Sequence, residues 1–135
     1  MRLAPIALIL ASTSTAFAAD HLMRIDEVML SNQGSTASQF IELEDPFGEP
    51  FPSPPYTLNV YDAAGGPLGT VALTLPSGTL RVLVATTAAA TQFSVTPDAV
   101  LTFTLPANGQ ACFQRGTARI HCFAWGNVTS AVIGS

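Results

Sequence analysis

The chain has 135 residues, of which 48% are hydrophobic and only 10% are charged. Five arginines, no lysine and nine acidic residues give a formal net charge of −4, which disfavours binding to the phosphate backbone of nucleic acids. The apolar fraction is too high for a disordered chain, and the length suits one domain with one hydrophobic core.

The amino terminus has the layout of a secretory signal. Residues 1–18 carry one arginine behind the first methionine, an apolar run over residues 3–11, and an Ala-Phe-Ala pattern that ends at Ala18. The run is too short to span a bilayer, and no later stretch approaches that length. The sequence therefore predicts a signal peptide over residues 1–18 and a single domain over residues 19–135, located outside the cell or on its surface.

Beyond the signal, short runs of alternating apolar and polar residues are separated by proline and glycine. We predict eight strands, over residues 22–30, 39–45, 56–62, 69–75, 79–86, 99–105, 110–115 and 119–125. Eight short strands indicate an all-β antiparallel sandwich or barrel. The apolar faces of these runs predict the core residues Ile41, Leu43, Leu58, Val60, Leu80, Val82, Val84, Leu101, Phe103 and Leu105.

Two connecting segments differ from ordinary turns. Residues 46–55, PFGEPFPSPP, hold five prolines, which lack backbone donors and favour extended geometry. We predict a stiff crossover between sheets there, with a PxxP-type ligand as the alternative. Residues 86–93, TTAAATQF, form either one short helical turn or a loop.

The stretch ACFQRGTARIHCFAWGN, residues 111–127, contains both cysteines and the only tryptophan. A three-residue loop over residues 116–118 predicts four facing pairs: Arg115 with Arg119, Gln114 with Ile120, Phe113 with His121, and Cys112 with Cys122. Directly opposed cysteines are close enough for a cross-strand disulfide, and cysteines of exported proteins usually pair. We therefore predict a structural disulfide between Cys112 and Cys122.

Metal and redox chemistry are the alternatives for this stretch. Zinc needs two more ligands than the cysteines supply, and His121 points to the opposite face from Cys122. Redox-active pairs usually form a CxxC motif at the start of a helix. The register also places His121 in a row with Phe113, Phe123 and Trp125, where we expect it to donate a hydrogen bond to a carbonyl.

Catalytic motifs are missing from the sequence. It contains neither a GxSxG elbow nor an HExxH pair, and the other histidine, His21, lies close to the predicted mature amino terminus. We therefore predict a protein without enzyme activity, catalytic residues or cofactor.

Acidic and aromatic residues suggest a second class of function. Glu42, Glu44, Asp45 and Glu49 form the only concentration of charge, and their oxygens suit calcium, although a solvated strand edge is the simpler explanation. Four aromatic residues near these acids, which we expect to be exposed, are candidates for carbohydrate binding: Phe47, Phe51, Tyr56 and Tyr61. A calcium- or carbohydrate-binding module beside a secreted hydrolase is therefore the alternative function.

Five pieces of the sequence occur in a suggestive order. They are residues 25–29, with Ile25, Glu27, Val28 and Met29; QFIEL from Gln39 to Leu43; YTL from Tyr56 to Leu58; LPSGTLRVLVAT with Pro76, Gly78, Leu83 and Val84; and FAWGN with Trp125 and Gly126. Together they resemble the lamin-tail domain family, particularly its secreted bacterial members. The resemblance covers residues 22–127.

The resemblance implies an immunoglobulin-like β-sandwich that binds other proteins and has no catalytic residues. Bacterial members of that family occur in secreted or surface proteins, often beside hydrolase domains, and some lamins contact DNA. This chain departs from the family pattern at Glu44-Asp45-Pro46, in its proline-rich loop, and in its end soon after residue 127, which suggests possible truncation. We therefore expect an exported interaction or structural module for a protein or cell-envelope partner, of unknown oligomeric state.

Overall fold

The computed structural model describes residues 22–51 and 55–133. Its strands are β1 (Arg24–Met29), β2 (Phe40–Glu44), β3 (Tyr56–Asp62), β4 (Pro67–Leu73), β5 (Arg81–Ala85), β6 (Ala99–Val100), β7 (Gly109–Arg115) and β8 (Ala118–Trp125), and its helix is α1 (Thr87–Phe93). Among these residues no helix has the length and apolar character that a bilayer crossing requires. The predicted signal peptide lies outside the described residues.

The strands form two four-stranded sheets that pack face to face. The first sheet has the order β1-β2-β5-β6 and the second has the order β4-β3-β7-β8. All pairings are antiparallel except that of β5 with β6, which is parallel over two residues. The prediction of an all-β, immunoglobulin-like sandwich is confirmed. The parallel pair arises because α1 intervenes between β5 and β6 and returns the chain to the same end of the sheet.

The predicted core is largely confirmed. Eight of its residues are at most 3% exposed: Ile41, Leu43, Leu58, Val60, Val82, Val84, Leu101 and Leu105. Leu80 was predicted wrongly, because its side chain is 55% exposed. It precedes β5, where the backbone carbonyl of Leu80 accepts a hydrogen bond from the Asp45 amide of a loop rather than from a strand. The alternation that points Val82 and Val84 inward therefore does not extend to position 80.

Residues 99–105 form a strand only over their first two positions, so the predicted strand is too long. After Val100, the buried side chain of Gln39 supplies backbone hydrogen bonds that a neighbouring strand would otherwise provide. Its Oε1 accepts from the Leu105 amide at 2.7 Å, and its Nε2 donates to the carbonyls of Leu105 and Leu30. The released segment carries half-buried Phe103 against Gly69 of β4, where a Cβ would lie 2.3 Å from the ring.

Both unusual connections fit their predictions. The segment from residue 46 to residue 55 contains no strand among its described residues, and it joins β2 of the first sheet to β3 of the second. It is therefore a crossover, while residues 52–54 lie outside the described part. The segment over residues 86–93 forms α1 and its cap rather than a loop.

The carboxyl-terminal hairpin confirms the disulfide and corrects the turn. Cys112 and Cys122 are directly paired and bonded, with an S–S distance of 2.02 Å. However, Arg115 pairs with Ala118, and Gln114 pairs with Arg119, so the predicted pairs of Arg115 with Arg119 and Gln114 with Ile120 are wrong. A two-residue turn starts at Gly116, where φ is 58°, and a β-bulge at position 120 restores the register of the disulfide.

Candidate functional site

An open groove lies on the outer face of the first sheet, and we call it the α1 groove. Its volume is about 420 Å³, which falls within the range of ligand-binding pockets. Two cross-strand rows form its floor: Met29, Phe40 and Ala85 in one row, and Glu27, Glu42 and Leu83 in the next. The first row is therefore apolar throughout, whereas the second is acidic at β1 and β2 and apolar at β5.

The wall of the groove is α1 with the residue that follows its cap. Thr86 fixes the start of this helix, since its Oγ1 accepts from the Ala89 amide at 3.2 Å and donates to the Ala37 carbonyl at 2.7 Å. Ala89 is buried against the sheet, and the ring of Phe93 meets the ring of Phe40 edge to face at 6.4 Å. The hydrogen bonds of Thr86 therefore tie the wall to the segment that leads into β2.

The apolar lining of the groove is only partly covered. Phe93 is 44% exposed and Val95 is 43% exposed, and both line the groove. Leu83, Phe40 and Met29 of the floor are half-buried. Contiguous exposed apolar patches of a few hundred Å² on soluble proteins often mark binding sites.

The charges beside the groove are unbalanced. Arg81 binds both Glu42 and Glu44, and Arg24 binds Glu44 at 3.2 Å. Glu27 lies directly opposite Glu42 on the neighbouring strand, so two like charges face each other at the groove. Within the described residues, the exposed carboxylate of Glu27 has no hydrogen bond and no ion pair with a cation.

The four acidic residues named as calcium candidates are not brought together. Glu42 and Glu44 lie on the outer face of the first sheet in ion pairs with arginine. The Asp45 carboxylate is fully buried and accepts from the amides of Phe47 at 3.0 Å and Glu49 at 2.6 Å. Across residues 22–51 and 55–133, no three potential metal-ligating side chains cluster. Calcium binding therefore gains no geometric support from these residues.

Glu49 instead anchors the start of the folded chain. Its Oε1 accepts from the backbone amides of Leu22 at 2.9 Å and Met23 at 3.1 Å. The glutamate is 6% exposed, and Met23 is fully buried next to it. The acidic loop thus holds the segment before β1 against the sandwich.

The aromatic residues named as carbohydrate candidates do not form one surface. Tyr56 is 2% exposed and stacks on Phe113, and Phe51 packs edge to face on Tyr56. Tyr56 therefore belongs to the core, and the expectation that it is exposed is wrong, while half-buried Phe51 packs against that core. Phe47 is 77% exposed in the crossover, whereas the Tyr61 hydroxyl accepts a hydrogen bond from Gln114 at 2.9 Å on the second sheet.

His121 lies between the sheets rather than in a catalytic arrangement. Its Nδ1 accepts from the backbone amide of Ile25 in β1 at 3.1 Å, so the expectation that His121 donates to a carbonyl is wrong. Burial lowers the pKa of His121, and the positive charge of Arg24 lowers it further. A neutral imidazole is required for this bond, because only a deprotonated Nδ1 accepts.

Apart from Glu42, which was named only as a calcium candidate, the residues that line the α1 groove were not predicted as a site. Their one signal is strand β5, RVLVA, in which Leu83 and Ala85 are apolar on the outer face while Val82 and Val84 fill the core. A strand that is apolar on both faces is typically covered on both. Here α1 covers only the end of the outer face.

Comparison with known proteins finds no family model that matches the chain, and no curated protein matches it.

Proposed function

We propose that the chain is an exported, non-enzymatic, lamin-tail-like sandwich module that binds a partner protein through the α1 groove. The α1 groove is the observation that carries this proposal. Its partly exposed wall, Phe93 and Val95, adjoins a half-buried apolar floor. An apolar groove edged by charged residues is a typical recognition surface for a segment of another protein.

Two observations support export. The first 18 residues have the pattern of a signal peptide, and the Cys112–Cys122 disulfide is of a kind that persists in oxidising compartments. A secreted or cell-surface module with a protein partner in the cell envelope fits both.

The surroundings of His121 support a module without enzyme activity. The imidazole is half-buried in the interface between the sheets, and its Nδ1 is already occupied by a backbone amide. That arrangement suits a structural contact between β1 and β8 better than proton transfer to a substrate. The order of the five sequence pieces, from residues 25–29 to FAWGN, keeps the resemblance to lamin-tail domains as a working assignment.

Site-specific photo-cross-linking tests the proposal directly. A photoreactive amino acid replaces Val95 in the groove or, in a matched control, Leu68, which is similarly exposed at 45% but lies on β4. Each protein is secreted by the producing cell, with its disulfide intact, and is then irradiated. We expect a discrete protein adduct from position 95 that unlabelled wild-type protein displaces and a Phe93→Asp protein does not.

The competition arms decide the result. Identical adducts from positions 95 and 68 would indicate non-specific contact and would contradict the proposal. Adducts at position 95 that the Phe93→Asp protein displaces as well as wild type would show that the groove is not the binding surface. Circular dichroism of the variant confirms that it is folded before it serves as competitor.

A further inference from the structure

We infer that the partner segment in the α1 groove places a lysine or arginine side chain against Glu27 and an apolar side chain against Phe93. This inference rests on the proposed function, and it specifies the chemistry that the groove recognises.

Among the described residues, the ion pairs on the outer face of the first sheet leave one carboxylate without a cation. Three glutamates and two arginines lie there, and both arginines are engaged by Glu42 or Glu44. Glu27 is the carboxylate left over, and it faces Glu42 across the strand pair. A cation bound between them relieves the repulsion of the two carboxylates as well as gaining its own attraction. An anion in the same place meets repulsion from both.

The side of the groove away from Glu27 is apolar. Leu83 follows Glu42 in the same cross-strand row, and Phe93 of α1 and Val95 beyond its cap line the same groove. Burying the exposed parts of these side chains is favourable in proportion to the apolar area removed from water. A volume of about 420 Å³ accommodates a few side chains rather than a folded domain. The occupant is therefore a short segment with at least one aliphatic or aromatic residue.

The distance between Glu27 and Leu83 sets the spacing of the two side chains in the partner segment. Glu27 and Leu83 occupy the first and third strands of one row, and neighbouring strands are about 4.8 Å apart, which places the acidic and apolar ends about 10 Å apart. An extended peptide advances about 3.3 Å per residue and points alternate side chains to opposite faces, so a cation and an apolar side chain two positions apart lie on one face about 7 Å apart. The long stem of a lysine or arginine side chain covers the remaining distance. A small amine without an apolar group, or an apolar peptide without a cation, satisfies only half of the groove.

Selection from a library of random short linear peptides, displayed on phage, tests this inference on the full secreted protein with its disulfide formed. We expect enriched peptides that carry lysine or arginine two positions from leucine, isoleucine or phenylalanine. Calorimetry on the purified peptides then compares wild type with Glu27→Gln, which keeps the size of the side chain. We expect about a fivefold weaker affinity for Glu27→Gln and a further weakening of wild-type binding at high salt.

The matched control is Asp26→Asn. Asp26 is the neighbouring exposed acid, it occupies the bulged position of β1, and it is not part of the groove lining. Both variants remove one negative charge, so a loss confined to Glu27→Gln reflects the groove and not the net charge. Replacing the peptide arginine with citrulline, which is neutral but similar in shape, should reproduce the loss on wild type and have little further effect on Glu27→Gln.

The outcomes separate this inference from the proposed function. Peptides that lose binding on Phe93→Asp but are neutral and indifferent to Glu27→Gln would overturn the inference and leave the proposed function standing. Peptides unaffected by either variant would overturn both. Sedimentation of the protein alone adds one more outcome, because a dimer that Phe93→Asp dissociates would assign the groove to a second copy of the chain and overturn the inference.

Discussion

The outer faces of the two sheets differ in how far their side chains are satisfied by neighbours within the protein. On the second sheet, Asn59 donates to Thr57 at 2.9 Å and accepts from Thr70, so neighbouring polar side chains satisfy one another. On the first sheet, apolar side chains adjoin Glu27 and Glu42, which repel each other across the strand pair. The first face leaves both apolar surface and charge uncompensated.

Under the proposed function, this difference identifies the outer face of the first sheet as the binding face. A surface whose polar groups are paired internally gains little from a partner, because new hydrogen bonds must replace existing ones. A surface with exposed apolar area and an unpaired charge gains from both on association. Five variants, ordered by the size of the expected effect, test whether stability resides in one face and recognition in the other.

The largest effect is expected from the disulfide that staples the second sheet. Replacing Cys112 and Cys122 together by alanine should lower the free energy of unfolding by about 2–3 kcal/mol, because the unfolded chain regains the freedom of the closed loop. Urea denaturation measures this loss, with reduced wild-type protein as the comparison. Cross-linking from Val95 should persist while the variant is folded. Its loss in a folded variant would show that the two faces are not independent.

The next effect concerns the hydrogen bond that joins the sheets. His121→Ala removes the acceptor for the Ile25 amide and should cost about 1–3 kcal/mol at neutral pH. Urea denaturation of the variant beside wild type measures the difference, and an unchanged midpoint would mean that water replaces the imidazole without loss.

The same bond predicts a pH dependence. The pKa of His121 in the folded protein lies below its ordinary value of 6.5, so the unfolded chain binds the proton more readily. The contribution of the bond is therefore complete above pH 6.5 and is lost as the pH falls from 6.5 through the lower folded value. Wild type should lose stability in that window while His121→Ala does not, and parallel curves would contradict the assignment. His21, which both proteins retain, cancels in the comparison.

A smaller effect is expected from a matched pair, one residue on each face. Asn59→Ala should lower the free energy of unfolding by about 0.5–1.5 kcal/mol, because it breaks the contacts with Thr57 and Thr70. Phe93→Ala should cost about as much through its lost contact with Phe40, but it alone should abolish adduct formation at position 95. Equal effects of both on cross-linking would remove the distinction between the faces.

The smallest effect has the opposite sign. Glu27→Gln relieves the repulsion with Glu42 and should raise the free energy of unfolding by about 0.2–0.5 kcal/mol at low salt. The same variant should bind groove peptides less tightly, so stability and recognition change in opposite directions. Urea denaturation at low and high salt, beside Asp26→Asn, measures the gain. A gain equally large for Asp26→Asn would attribute it to net charge.

The predictions that succeeded depend on short-range regularities. The alternation in FIELE and YTLNVYD marks the inward face of each strand, and the burial of Ile41, Leu43, Leu58 and Val60 follows it. The disulfide follows from two cysteines on adjacent strands of one hairpin. Even there, the pairs nearest the turn differ from the prediction. A two-residue turn and a bulge at position 120 replace the predicted three-residue loop, which shifts the pairing by one residue.

The predictions that failed depend on tertiary contacts with residues that are distant in the sequence. Leu80 continues the alternation of β5 but lies beyond the strand, and Tyr56 faces inward although it follows the exposed end of the crossover. The role of Gln39 was not predicted, because its neighbours in the sequence do not show that its side-chain amide hydrogen-bonds the backbone of Leu105 in place of a neighbouring strand. His121 accepts rather than donates because β1, some hundred positions earlier in the chain, presents an amide to it.

The sequence by itself determined an all-β sandwich, most of its core and its disulfide, because strand alternation and hairpin pairing are encoded within a few neighbouring residues. Only the tertiary structure decided where the α1 groove lies. Glu27, Glu42, Leu83 and Phe93 come from four separate elements, and they adjoin only because β1, β2 and β5 pair in register and α1 folds back over them. No local pattern records that convergence, since it depends on the register between strands and on the uncovered part of the sheet.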